Sequence, residues 1–217
     1  MKRSSGKLTA MIIAAVVIID QAVKIWIKTT MPLDSEFSVF GRWFLIHFTE
    51  NPGMAFGMKF GGDAGKILLS LFRIILVAFV GVMIVKLNRR PATPLGVMIG
   101  FALILAGAAG NIIDSMFYGL LFDSSWGQVA TFLPDGGGYA PFLFGNVVDM
   151  FYFPIIETTW PEWVPFWGGE SFVFFRPIFN IADASISTGV IYLILFQRRF
   201  FITKKQLPAD GRQPAQE

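Results

Sequence analysis

Residues 8–28 read LTAMIIAAVVIIDQAVKIWIK, and their reading decides the fold. Nothing ionisable interrupts the stretch from Leu8 to Ile19. At about 1.5 Å rise per residue, a helix of roughly 20 such residues crosses the hydrocarbon of a bilayer. Lys2, Arg3 and Lys7 precede it, which imitates the charged and apolar regions of a secretory signal. No small-residue cleavage site follows. Asp20, Gln21 and Lys24 come next, and the apolar run then resumes to Ile27. The stretch is expected to be a retained first transmembrane helix.

Three further runs have the same character, so helices are expected at about 8–28, 66–87, 94–118 and 177–196. The basic residues decide their orientation. Lys2, Arg3 and Lys7 precede the first run, Lys86, Arg89 and Arg90 fill the turn after the second, and Arg198, Arg199, Lys204 and Lys205 follow the fourth. The segment 119–175 has no Lys or Arg but carries Asp123, Asp135, Asp149, Glu157, Glu162 and Glu170. Basic residues favour the cytoplasmic side, so both termini are expected inside and the two long loops outside. The expected fold class is an all-α membrane protein, a four-transmembrane-helix bundle with a small β-rich element in the first outer loop, around 37–48, and a long second outer loop. Trp126, Trp160, Trp163 and Trp167 of that second loop are expected to anchor at the headgroups. Residues 1–203 form one integral-membrane domain, and 204–217 a polar tail.

Composition agrees and excludes much. The chain is 54% hydrophobic and 15% charged. Its net charge of +3 sits at helix ends rather than over a face, so no nucleic acid is expected. There is no cysteine and one histidine, His47, which removes thiol nucleophiles, disulfides and thiolate or polyhistidine metal sites. Neither a cofactor nor a metal is expected.

An ionisable group within a transmembrane helix costs about 2.5–3.5 kcal/mol on insertion scales, so it should face a partner or a cavity. Asp20 and Lys24 stand four apart in the first run, Asn111 and Asp114 three apart in the third, and Asn180 and Asp183 three apart in the fourth. Each spacing puts both residues on one helix face. All three pairs lie toward the outer side, and a shared site is the economical explanation. Each also has a plainer reading. Asp20–Lys24 serves as a structural ion pair, Asn111 and Asp114 as interhelical glue, Gly107, Ala108 and Gly110 as close packing, and Arg73 as a snorkelling side chain. No serine stands out to complete a triad with His47. An ion path would need polar residues toward the cytoplasmic half as well. Val190–Phe196 has none that ionises, which weighs against a proton- or ion-coupled transporter, the alternative reading.

The ordered set resembles the lipoprotein signal peptidase family, signal peptidase II. The matching stretches are Asp20-Gln21 with Lys24, residues 51–57 (NPGMAFG), 107–114 (GAAGNIID), 147–149 (VVD) and 179–185 (FNIADAS). The resemblance runs from the first helix to about Gly189. It implies that Asp149 and Asp183 are the catalytic pair of an intramembrane aspartyl endopeptidase, supported by Asp20, Lys24, Asn51, Gly53, Asn111, Asp114 and Asn180. It also implies a bacterial inner-membrane location, diacylglyceryl prolipoprotein substrates cut before the lipidated cysteine, membrane lipid as surroundings and globomycin-type inhibitors. A monomer is expected. Two departures stand out. Ser115 follows Asp114 where the family pattern has an arginine associated with the substrate backbone, and Arg176 is the expected replacement. Inserts also lengthen the segment 119–175.

Overall fold

The computed structural model describes residues 2–52 and 62–203. Gly53 and most of the 51–57 motif lie outside the described residues, as does the tail.

Four apolar helices carry the chain: α1 (Lys2–Lys28), α2 (Gly62–Asn88), α3 (Leu95–Ile113) and, after the second loop, α5 (Ile181–Phe196). A five-residue π-turn, Asp114–Tyr118, continues α3 into the short α4 (Gly119–Leu121), and α6 (Arg198–Thr203) follows α5. Among the described residues three spans are long and apolar enough to cross a membrane, Ser5–Lys28, Ala64–Asn88 and Leu95–Leu121. Ile181–Phe196 is apolar but shorter. The faces of α2 bearing Leu68, Phe72, Ile75 and Phe79 are exposed, which in a helix this apolar means that they face lipid.

The sequence places the helices close to where they lie and under-reads the strands. β1 (Glu36–Phe40) and β2 (Phe44–Asn51) form the hairpin expected in the first outer loop, with Gly41 at φ +54° in the turn, where a side chain would be strained. The second loop supplies β3 (Val147–Tyr152), β4 (Ile156–Thr159), β5 (Ser171–Phe174) and β6 (Ile178–Phe179). One antiparallel sheet runs β1-β2-β3-β6, and β4-β5 is a separate hairpin. An all-α description therefore omits a sheet that draws on both loops. The fourth helix also starts later than expected. Ile178 and Phe179 pair with Tyr152 and Phe151, and Asn180 then caps a helix beginning at Ile181. The pairing consumes backbone groups that a helix from 177 would need.

Two apolar cores hold the assembly. One, under the sheet, packs Ile27, Phe48, Tyr118, Phe122, Val148 and Met150. The other, at the opposite end, joins Val80, Ile84, Val97, Met98, Phe101 and Leu193 from α2, α3 and α5. Between them α3 and α5 touch backbone to backbone. A Cβ on Gly107 would stand 2.2 Å from the Ala182 carbonyl oxygen, and one on Gly189 2.7 Å from that of Gly100. Small residues at these positions let helices approach where lipid offers no hydrophobic driving force. Trp126 and Trp163 stand 75% and 82% exposed on the loops, whereas Trp160 packs against Phe172 at 4.8 Å.

Candidate active site

The site forms where α1 and α3 end, α5 begins and β3 passes across them. Strand pairing brings Asp149 there. Thr49 opposes Asp149, Glu50 opposes Val148 and Asn51 opposes Val147, so β2 fixes the register of the strand carrying the carboxylate. Capping brings Asp183. Asn180 is extended, and its Oδ1 accepts from the Asp183 backbone N–H at 2.9 Å, the usual N-cap bond. Its Nδ2 donates to Asp149 Oδ1 at 2.6 Å and lies 3.1 Å from Asn111 Oδ1 and 3.2 Å from the Val148 carbonyl. A single amide thus ties Asp149 to the first turn of the helix bearing Asp183. Asp183 Oδ1 in turn accepts from Asn111 Nδ2 at 2.8 Å.

Beneath this pair lies a buried ion cluster. Lys24 Nζ, fully buried, contacts Asp20 Oδ2 at 2.9 Å, Asp114 Oδ2 at 2.8 Å and Asn111 Oδ1 at 2.8 Å. Each carboxylate holds a backbone N–H with an oxygen. Asp20 Oδ1 accepts from Ala182 at 2.9 Å, and Asp114 Oδ2 from Val148 at 3.2 Å. Ala182 and Val148 immediately precede Asp183 and Asp149. The cluster therefore grips the chain one residue before each carboxylate of the upper pair. Gln21 Nε2 adds 2.8 Å to Asp114 Oδ1 and 3.2 Å to Asp20 Oδ2, and its Oε1 accepts from Tyr118 at 3.2 Å. The π-turn that begins at Asp114 shifts the register of the last turns of α3, a distortion common at functional sites.

The electrostatics separate Asp149 from an ordinary surface carboxylate. Burial, first, and the neighbouring Asp183 charge, second, push its carboxyl up to about 7 from 3.8, against the opposing pull of Lys24 and of side-chain hydrogen bonds from Asn180 and Asn51. Asp149 is 3% exposed. Asp183, only partly buried, sits in the first turn of α5.

The structure therefore brings together Asp20, Lys24, Asn51, Asn111, Asp114, Asn180, Asp149 and Asp183. It does not bring Arg176 to them. That guanidinium is exposed beyond β5 and donates to the Ser171 carbonyl at 3.3 Å. Proximity along the chain misled because β6 turns the segment away before α5 starts. His47 lies on the sheet surface, paired with Glu36 at 2.7 Å. Arg73, expected to snorkel, points instead to α3, with Nη1 3.4 Å from Ser115 Oγ. Glu50 and Lys28, neither of them among the expected site residues, form a second buried cluster. Lys28 contacts Glu50 and Ser125 and lies 5.5 Å from the Phe122 ring centroid. Asn146 bridges this cluster to α2, donating to Glu50 Oε2 at 2.9 Å and accepting from Lys66 at 2.8 Å. Lysine followed four residues on by lysine at the end of an apolar run, Lys24 and Lys28, was the signal available for it.

The chain is similar to known proteins. The family described as Signal peptidase (SPase) II matches residues 12–199. A lipoprotein signal peptidase of Porphyromonas gingivalis is 51% identical over 190 residues, 88% of this chain and 82% of its own length. That of Amoebophilus asiaticus is 36% identical over 184 residues, 84% and 74% of the two chains. A bacterial membrane enzyme solved by the in meso method at 2.3 Å resolution is similar in fold, with a TM-score of 0.58 at 25% identity over 94% of this chain and 95% of the other. The resemblance drawn from the motifs is borne out: the chain belongs to the signal peptidase II family of aspartic-type membrane peptidases.

Proposed function

We propose that Asp149 and Asp183 together hydrolyse the peptide bond preceding the lipidated cysteine of diacylglyceryl-modified prolipoproteins. The observation that carries the reading is the Asn180 amide, which bonds Asp149 and caps the helix bearing Asp183, and so makes one constellation of two carboxyl groups 34 residues apart.

The ionised carboxylate takes a proton from a water as its oxygen attacks the scissile carbonyl carbon. The protonated partner donates to the carbonyl oxygen, giving a tetrahedral gem-diol. The C–N bond then breaks: the leaving nitrogen takes up the proton removed from water, one gem-diol hydroxyl returns its proton to the carboxylate that had donated, and the pair is again singly protonated. Water attacks directly, so no acyl-enzyme forms.

Location supports the substrate class. A diacylglyceryl cysteine is held at the lipid–water boundary, and the pair lies where a strand of the sheet, β3, meets the first turn of the apolar helix α5. In this reading α5, about 24 Å long, is the fourth span. Both termini are then cytoplasmic and the sheet periplasmic. On the family resemblance, globomycin-type cyclic peptides are the expected inhibitors, and the enzyme acts as a monomer.

The test is cleavage of a diacylglyceryl-modified prolipoprotein by the purified protein in detergent, with a chelator present. Asp149→Asn and Asp183→Asn should each lose at least about 10³-fold in kcat while keeping the wild-type fold. Near-normal activity in either variant rejects the pair.

A further inference from the structure

Arg73 stands within the run LLSLFRIILVAFV, residues 68–80, where a guanidinium is expensive unless it has a task. Its helix neighbours Phe72, Ile75 and Leu76 are exposed on the lipid face, while Arg73 is half-buried on the side toward α3. The side chain does not run along α2 to the headgroups. It reaches Ser115, the first residue after Asp114 in the π-turn, at 3.4 Å. Ser115 Oγ donates to the Asn111 carbonyl at 3.1 Å and so keeps its lone pairs for the guanidinium. Asn111, whose carbonyl accepts from Ser115, donates from its side chain to Asp183, and Asp114, the residue before Ser115, holds the Val148 N–H next to Asp149.

Ser115 takes up one of the five N–H donors of the guanidinium. A donor-only fork beside a carboxylate pair suits a ligand with acceptors and no charge of its own. The main-chain carbonyls of an extended peptide lying over Asp149 and Asp183 are such acceptors. Ser115 is small, and this matters to the geometry: a long side chain there would occupy the space through which α2 delivers the guanidinium.

The geometry points to Arg73 as the residue that holds the main chain of the bound signal peptide, donating to a peptide carbonyl beside the Asp149–Asp183 pair. This assignment rests on the aspartate-pair reading given above. It makes α2, otherwise a lipid-facing wall, the helix that contributes substrate alignment to a site whose other polar groups come from α1, α3, α5 and two strands.

The test is the steady-state kinetics of Arg73→Gln, Arg73→Lys and the double variant Arg73→Gln/Ser115→Arg on a diacylglyceryl-modified prolipoprotein substrate. Arg73→Gln should lower kcat/KM about 10- to 100-fold, the range for a lost charge-assisted hydrogen bond. It should also move the whole pH–rate profile to higher pH, by roughly one pH unit, because carboxyl groups without a facing cation keep their protons longer. Lys24 and Asp20 on α1, Asp114 on α3, and Asp149 and Asp183 themselves remain in every variant. Arg73→Lys keeps the charge and loses the fork, so its pH profile should stay in place while KM rises. The double variant, which supplies the guanidinium from the neighbouring helix, should recover at least about tenfold of the loss. A kcat/KM for Arg73→Gln within about threefold of wild type overturns the assignment, since an interaction that small is below the range for such a bond. So does a loss that follows a lowered unfolding midpoint with an unmoved pH profile. Either result leaves the aspartate pair standing, whereas activity surviving in Asp149→Asn rejects the pair itself.

Discussion

Lys24→Met tests whether the buried ion cluster holds the site. Lys24 is fully buried between Asp20 and Asp114 at 2.9 and 2.8 Å. Removing it leaves two buried carboxylates facing one another with Gln21 as their remaining side-chain donor. Breaking a buried pair by deleting one partner costs about 3–5 kcal/mol. In a chain of this size each kcal/mol moves the unfolding midpoint by about 2–4 °C, so Lys24→Met should unfold roughly 6–20 °C lower. The companion variant is Lys24→Met/Asp20→Asn/Asp114→Asn. Each asparagine keeps an oxygen for the Ala182 and Val148 N–H groups, and no charge remains to be compensated. Replacing a whole buried ion cluster by neutral groups is nearly neutral in many proteins, so most of the loss should return. The assay is thermal unfolding in detergent, followed by tryptophan fluorescence. If Lys24→Met unfolds within about 2 °C of wild type, the cluster contributes less than a single kcal/mol, and the argument that it clamps the site is wrong.

Three further outcomes follow from the geometry. Asn180→Ser keeps a cap oxygen for the Asp183 N–H but cannot reach Asp149, so its unfolding midpoint should stay near wild type while kcat falls; Asn180→Ala should lose about 1 kcal/mol of stability besides. The Asp149 carboxyl, at about 7 in the folded protein against 3.8, binds its proton more tightly when folded. Its contribution is therefore most favourable at low pH and is lost as pH rises from about 4 to 7, on the order of 4 kcal/mol in all. Denaturant unfolding at pH 5 and pH 8 should accordingly show Asp149→Asn gaining on wild type at the higher pH, and wild-type kcat/KM should decline above about 7 as the shared proton leaves. Gly107→Ala places a Cβ 2.2 Å from the Ala182 carbonyl and should cost about 1–3 kcal/mol together with activity, whereas Gly81→Ala, whose Cβ meets nothing within 4 Å, should be neutral in a parallel melt.

Helices and their polar pairs were legible because hydropathy and the three- or four-residue spacing are local properties. Asp20 with Lys24, Asn111 with Asp114 and Asn180 with Asp183 announce a face before any partner is known. What brings Asp149 to them is not local. Val147–Tyr152 becomes a strand by pairing with residues 45–51, about a hundred positions away, and nothing within the stretch specifies that register. Phe179 belongs to the same sheet, so the start of α5 could not be placed without it. Arg73 has no polar neighbour three or four residues away on its helix except Ser70, and its meaning comes from Ser115, on a different helix. Arg176 is close to α5 in sequence, and the strand β6 between them cancels that closeness.

The same long-range pairing bears on how the chain is made. Asp149 is held by β2 and by Asn180, with the Val148 N–H before it fixed by Asp114, while the Ala182 N–H before Asp183 is fixed by Asp20 of α1. A nascent chain that has emerged only as far as β3 has one of the two carboxyl groups and lacks the amide that unites them. Under the proposed mechanism the constellation is therefore complete only once α5 packs beside α1 and α3, and the growing polypeptide has no working cutting site until that late step.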